Sequence, residues 1–277
     1  RYADSRWYTG SGIYRDVWLI AAPEIHLAQW GTGWYATSLT DRQATIAVDM
    51  EVQKHIVTRE KLELSATLYD AAGKQVAQRR TRVSDGKEGI TKETLTLKVT
   101  KPHRWNLNDP YLYTLKAELL SNGKRIHGCE NKVGLRTLDF DPNKGFALNG
   151  NWMKVKGVCL HHDAGVLGAV VPPEVWERRL NNLKEIGVNA IRMSHNPHAP
   201  IVYDLCDQLG LLVMDEASDE WEFPKRKWIK GWNKGEPGFD GSFDFFEEWI
   251  EQDVTDMVRG DRNHPSIFLW SIGNEVD

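Results

Sequence analysis

Between residues 22 and 137, apolar and polar positions alternate in short runs. Thr45 to Val52, Lys61 to Tyr69 and Thr94 to Val99 each put every second side chain on one face, the period of a half-buried strand. Turns follow at Asp70-Ala71-Ala72-Gly73 and Ser121-Asn122-Gly123-Lys124, the latter between Tyr113 to Leu119 and Arg125 to His127. Short strands and turns spaced in this way over about a hundred residues predict an immunoglobulin-like β-sandwich. Ahead of it, residues 1–21 hold Gly10-Ser11-Gly12 among aromatic residues, a turn and a strand with no core of their own. They read as the tail of a truncated module.

After about residue 138 the period changes. Apolar strands are expected near Met153 to Val158, Ala190 to Met193, Leu211 to Met214 and Ile267 to Ile272. The intervening stretches carry helical spacing: Trp176, Leu180 and Leu183 in residues 173–186, Ile201, Leu205 and Leu209 in 200–209, then Phe246, Ile250, Val254 and Met257 in 243–258. Pro172-Pro173 suits the first turn of the first helix. Four successive strand-then-helix steps predict a parallel sheet with right-handed crossovers.

Each of these strands runs, at its C-terminal end, into groups able to do chemistry. The clusters are His161-His162-Asp163, Ser194-His195-Asn196-Pro197-His198, Asp215-Glu216 and Gly273-Asn274-Glu275. Taken singly, each reads more simply as a helix cap, a turn or a solvated loop. In a (β/α)8 barrel, however, the C-terminal strand ends open on one face, where active sites sit. Four clusters at equivalent positions therefore point to a pocket. His264 precedes the fourth strand, on the opposite face, and reads as structural.

Composition narrows the classes. With 277 residues, 41% apolar and 27% charged, the chain has the make-up of a globular protein. A net charge of -4, with Lys and Arg interspersed among acids, argues against nucleic acid as a partner. No apolar run approaches the roughly 18 residues of a membrane span, and residues 1–20 lack a signal-peptide layout, although Arg1 stands where a native start would have Met. Cys129, Cys159 and Cys206 are far apart and odd in number, and read as core thiols rather than as a disulfide or metal set. The absence of a Gly-rich loop after the first parallel strand disfavours a nucleotide-binding fold.

Together, Lys156 to Asp163, Arg192 to Pro197, Val213 to Ala217 and Ile267 to Glu275 resemble glycoside hydrolase family 2, and Ser11 to Leu19 is similar to the close of that family's jelly roll. The resemblance spans nearly the whole chain. It implies a multidomain all-β plus α/β chain: residues 1–21 as the end of a jelly-roll domain, 22–137 as the immunoglobulin-like sandwich, and 138–277 as the first half of a TIM (β/α)8 barrel. It further implies Glu275 as general acid/base, Asn274 on the sugar 2-hydroxyl, Asp163, His195 and His161 lining the sugar subsite, and Arg192 supporting them. The nucleophile would lie on a later barrel strand, so this chain alone is expected to be inactive. The implied partner is a β-linked oligosaccharide or glycoside, β-galactoside before β-glucuronide, with a non-catalytic carbohydrate-binding fragment as the alternative.

Some members of the family hold Mg2+ with a Glu and a His just after the third strand. Here Glu220 stands at the first position but Glu222 at the second, so the expectation is no cofactor, with these two as the weak magnesium candidates. The loop from Trp221 to Phe239, rich in Lys and Trp, reads equally as the border of an acceptor-sugar subsite or as a solvated loop. Sugar, linkage, compartment (bacterial cytoplasm or periplasm) and oligomeric state stay open, a homo-oligomer of the full-length protein included.

Overall fold

Seven antiparallel strands fill residues 25–133 of a computed structural model that describes residues 12–222, 242–274 and 276. They are β1 (Ile25–Leu39), β2 (Gln43–Lys54), β3 (Leu62–Tyr69), β4 (Gln75–Arg82), β5 (Gly89–Thr100), β6 (Tyr113–Ser121) and β7 (Lys124–Val133). One sheet runs β1-β2-β5 and the other β4-β3-β6-β7, the two layers of an immunoglobulin-like sandwich. The alternation fixes the packing: Ile46, Val48, Met50, Leu95 and Leu97 from one sheet meet Leu64, Ala66, Leu68, Leu115 and Leu119 from the other in one buried cluster.

Turn chemistry closes the strands. Asn122 and Gly123 have φ of 50° and 81°, the left-handed pair that a two-residue hairpin requires. In the β3–β4 turn, Asp70 Oδ1 accepts the Ala72 and Lys74 N–H groups at 3.0 and 2.8 Å. Strand β4 carries no clean alternation because it is an edge. Its Arg79, Arg80 and Arg82 are exposed, and a charged edge resists pairing with a second chain.

A small antiparallel sheet follows, built from β8 (Leu138–Asp141), β9 (Gly145–Leu148) and β10 (Asn151–Met153) in the order β10-β9-β8. Asn149 and Gly150, at φ of 54° and 78°, fold the chain back so that Met153 pairs with Phe146. Met153 thereby closes a hairpin instead of opening the parallel strand expected there, and that strand, β11, spans Gly157–Leu160.

Strands β11, β12 (Ala190–Met193), β13 (Leu212–Glu216) and β14 (Ile267–Ser271) form a parallel sheet in chain order. Helices α1 (Pro173–Glu185), α2 (Pro200–Leu209) and α3 (Phe246–Asp261) supply the crossovers. Gly210 ends α2 at φ 71°, its N–H on the Cys206 carbonyl, a left-handed cap that a β-carbon would strain. Trp176 and Leu180 of α1 and Val202, Tyr203, Leu205 and Cys206 of α2 pack with Ile191, Met193, Val213 and Ile267 on one face of the sheet. This is the start of a TIM-type barrel.

All three cysteines are free, but only Cys206 is buried; Cys129 is half-buried and Cys159 is exposed. The core-thiol reading fails for Cys159 because β11 is an edge strand and Cys159, in register with Arg192, lies on the face opposite the helices. By contact, Trp18–Lys154 with Arg262–Pro265 form one unit, and the other described residues, including 12–17, form the second.

Leu115 is fully buried in the sandwich. Leu115→Ala is expected to cost about 2–5 kcal/mol, read as a lowered midpoint in guanidinium unfolding with far-ultraviolet circular dichroism.

Candidate active site

Alternate residues of a strand face opposite ways, so the parallel sheet has two chemistries. Its helix-covered face is mostly apolar, with Asp215 the exception, while the other carries Cys159, Arg192, Glu216 and Ser271, with Cys159 beside Arg192 and Glu216 beside Ser271 in register. Glu216, at the last position of β13, is fully buried. A carboxylate there is tolerable only if donors surround it.

They do. Glu216 Oε2 accepts Arg192 Nε at 2.7 Å and Ser271 Oγ at 2.8 Å, with Arg192 Nη2 at 2.6 Å, and Oε1 meets His195 Nδ1 at 2.5 Å. Burial alone would push the Glu216 carboxyl up; the hydrogen bonds from His195, Ser271 and Arg192, with the Arg192 charge, outweigh it and hold the group below its ordinary value. An ionised Glu216 makes His195 Nδ1 a donor, which sets the ring's orientation.

The same guanidinium reaches further. Arg192 Nη2 donates to Asn274 Oδ1 at 3.1 Å, Asn274 Nδ2 donates to Asp219 Oδ1 at 3.1 Å, and the Asn274 N–H bonds the Ser218 carbonyl at 2.9 Å. Asn274 is thus tied at backbone and side chain. The His161 ring meets the His195 ring edge-on, centroids 5.2 Å apart.

Beside this network the adjacent histidines turn the other way. His162 packs edge-on against Trp176 and His198, at 5.2 and 5.3 Å, and Tyr14 lies 5.8 Å from it. Arg15 Nη2 donates to the Pro197 carbonyl at 3.0 Å. Burial, then the Arg15 charge, pulls His162 down to about 4, and burial, then His162, pulls His198 down to about 3. Both rings are therefore neutral at pH 7.

The structure thus joins four of the residues singled out in the sequence, Arg192, His195, His161 and Asn274. Asp163 is half-buried with its N–H on the His161 carbonyl at 2.8 Å, and no described hydrogen bond joins its side chain to the Glu216 network. Glu275 and residues 223–241, with Lys225, Arg226, Lys227, Trp228, Lys230, Trp232 and Lys234, lie outside the described residues. Trp221, at the loop's start, packs edge-on against Phe246 at 4.7 Å. Glu220 is half-buried and Glu222 exposed. Among the described residues neither belongs to a group of three donors close enough to share a cation.

Sequence reasoning marked the Asp215-Glu216 pair as a cluster but gave neither a role, and it passed over Ser271 and Asp219. Strand parity was the signal available: of two adjacent acids at the end of a buried strand, one must face each side.

Two family descriptions match the chain: "Glycosyl hydrolases family 2" over residues 32–136 and "Glycosyl hydrolases family 2, TIM barrel domain" over 142–277. Among curated relatives, "Beta-galactosidase BoGH2A" of Bacteroides ovatus is 42% identical over 275 residues, 99% of this chain and 31% of its own length. A "Beta-glucuronidase" of Bacteroides fragilis is 30% identical over 96% of this chain and 37% of its own length. Among solved structures, a glycosyl hydrolase family 2 member from Bacteroides cellulosilyticus superposes with a TM-score of 0.90 at 37% identity, covering 98% of this chain and 34% of that one. The chain spans about a third of the length of such relatives.

Removing the Glu216 carboxylate strands the Arg192 guanidinium. Glu216→Ala should destabilise the parallel-sheet unit by about 3–5 kcal/mol, measured by chemical denaturation followed through tryptophan fluorescence. For the neutral histidines, folded values below the ordinary one mean stability present above about pH 6.5 and lost as pH falls toward about 4. The ring C–H resonances of His162 and His198 should accordingly stay still in NMR spectra between pH 7.5 and 5.5, whereas a midpoint near 6.5 would contradict their burial.

Proposed function

Because the chain belongs to glycoside hydrolase family 2, we propose that it carries one side of the active site of a retaining exo-β-glycosidase, with Glu275 as general acid/base. The observation that supports this reading is the chain of bonds from His195 through Glu216 and Arg192 to Asn274, the residue immediately before Glu275. Asn274 is buried and held by three groups, Arg192, Asp219 and the Ser218 carbonyl, so the residue immediately before Glu275 is fixed.

The chemistry follows from the leaving group. A glycosidic oxygen departs poorly unless a carboxylic acid protonates it, while a second carboxylate about 5 Å away attacks the anomeric carbon. In this reading Glu275 gives that proton, then takes one from the water that hydrolyses the glycosyl intermediate. Asn274 hydrogen-bonds the 2-hydroxyl, His195 and His161 line the sugar subsite with Asp163, and Arg192 positions Asn274 without touching substrate. The nucleophile comes from a later barrel strand, so the 277-residue chain on its own does not turn over aryl glycosides. β-Galactoside is the favoured substrate, given the 42% identity to BoGH2A across 99% of the chain; β-glucuronide is the second reading, given the 30% identity to the Bacteroides fragilis enzyme.

The test is a panel of aryl β-glycosides on a full-length version, beside its Glu275→Gln variant. Rates on poor leaving groups should drop by about 10²–10⁴, with activated leaving groups spared in the first step. Equal rates on poor leaving groups would remove Glu275 from the acid/base role.

A further inference from the structure

Asp215 and Glu216 are neighbours on β13, so their side chains leave opposite faces of the sheet. Glu216 joins the candidate site; Asp215 enters the layer packed by α2 and α3. Asp215 is fully buried and no lysine or arginine pairs with it among the described residues. Its Oδ1 accepts the Tyr203 hydroxyl at 2.7 Å and the Glu216 N–H at 3.0 Å. The Tyr203 oxygen in turn accepts the His198 N–H at 3.0 Å. Oδ2 meets no hydrogen-bond partner.

We infer that Asp215 is a positioning residue for the candidate site. Through Tyr203 it anchors the loop that carries His195, and through the Glu216 N–H it fixes the strand end that carries Glu216. The hub of the site is therefore held from behind. The groups acting on the Asp215 carboxyl are Tyr203 from α2, Asp261 from α3 and the Glu216 N–H of its own strand, none a cation; His198, from the loop after β12, is neutral. Burial first, then the Asp261 charge, lifts Asp215 to about 7 against the Tyr203 hydrogen bond. A raised folded value means that stability is fully present below the ordinary carboxyl range and is lost as pH rises toward about 7. The inference rests on the proposed site, but its test reads protons and positions in the chain itself and is independent of turnover.

Three variants separate the roles. Asp215→Asn keeps an oxygen for Tyr203 and the Glu216 N–H but cannot ionise. Asp215→Ala should shift or broaden the His195 Nδ1 proton in the NMR spectrum, and Asp215→Asn should restore it. Tyr203→Phe cuts the link to the loop but leaves the Asp215 carboxyl, so it should move the His195 signal. An unmoved His195 signal in folded Tyr203→Phe would overturn the positioning role.

Discussion

One buried charge organises the parallel-sheet unit. Glu216 has no solvent, and its negative charge persists only because a guanidinium, an imidazole and a hydroxyl arrive from β12, the loop after it and β14. Each donor is committed by that requirement, and each commitment fixes a part of the site. His195 takes its ring orientation from Glu216, Arg192 its reach toward Asn274, and Ser271 its place at the end of β14. A buried pair of this kind adds little net stability, because desolvating the charges offsets their attraction. What it contributes is arrangement.

The arrangement works because a parallel strand ends in side chains that face two ways. At the end of β13 the two faces are occupied by adjacent acids with opposite electrostatic fates. Glu216, ringed by donors, sits below its ordinary value, whereas Asp215, set among Tyr203 and Asp261 in an apolar layer, sits far above its own. The same parity separates His161, edge-on to His195, from His162, which packs on Trp176 and His198. Function on one face and packing on the other are thus written into consecutive residues.

The immunoglobulin-like sandwich follows a different logic. Its stability is distributed over a continuous apolar layer between two sheets, and no single polar contact dominates it. Its edges are managed by charge, with three exposed arginines on β4, rather than by closure. Such a layer tolerates most single changes outside the core, which is the opposite of the Glu216 network, where every partner leaves an unpaired group if removed.

The sequence by itself determined the periods, and with them the elements. Alternation over Thr45–Val52 gave β2, Pro172-Pro173 and the Trp176/Leu180 spacing gave α1, and Ala190–Met193 and Pro200–Leu209 coincide with β12 and α2, because burial of one face imposes its repeat locally. It also marked the strand ends where chemistry collects, and Arg192, His195, His161 and Asn274 among them. Tertiary structure alone decided which of those polar residues meet. That Arg192 spans 24 residues to Glu216 and 82 to Asn274 depends on strand order and register, which no local pattern encodes. It also decided that Met153 turns back into a hairpin, that Cys159 leaves the core, and that Asp215 meets Tyr203, since hydrogen bonds between distant segments answer to geometry and not to spacing along the chain.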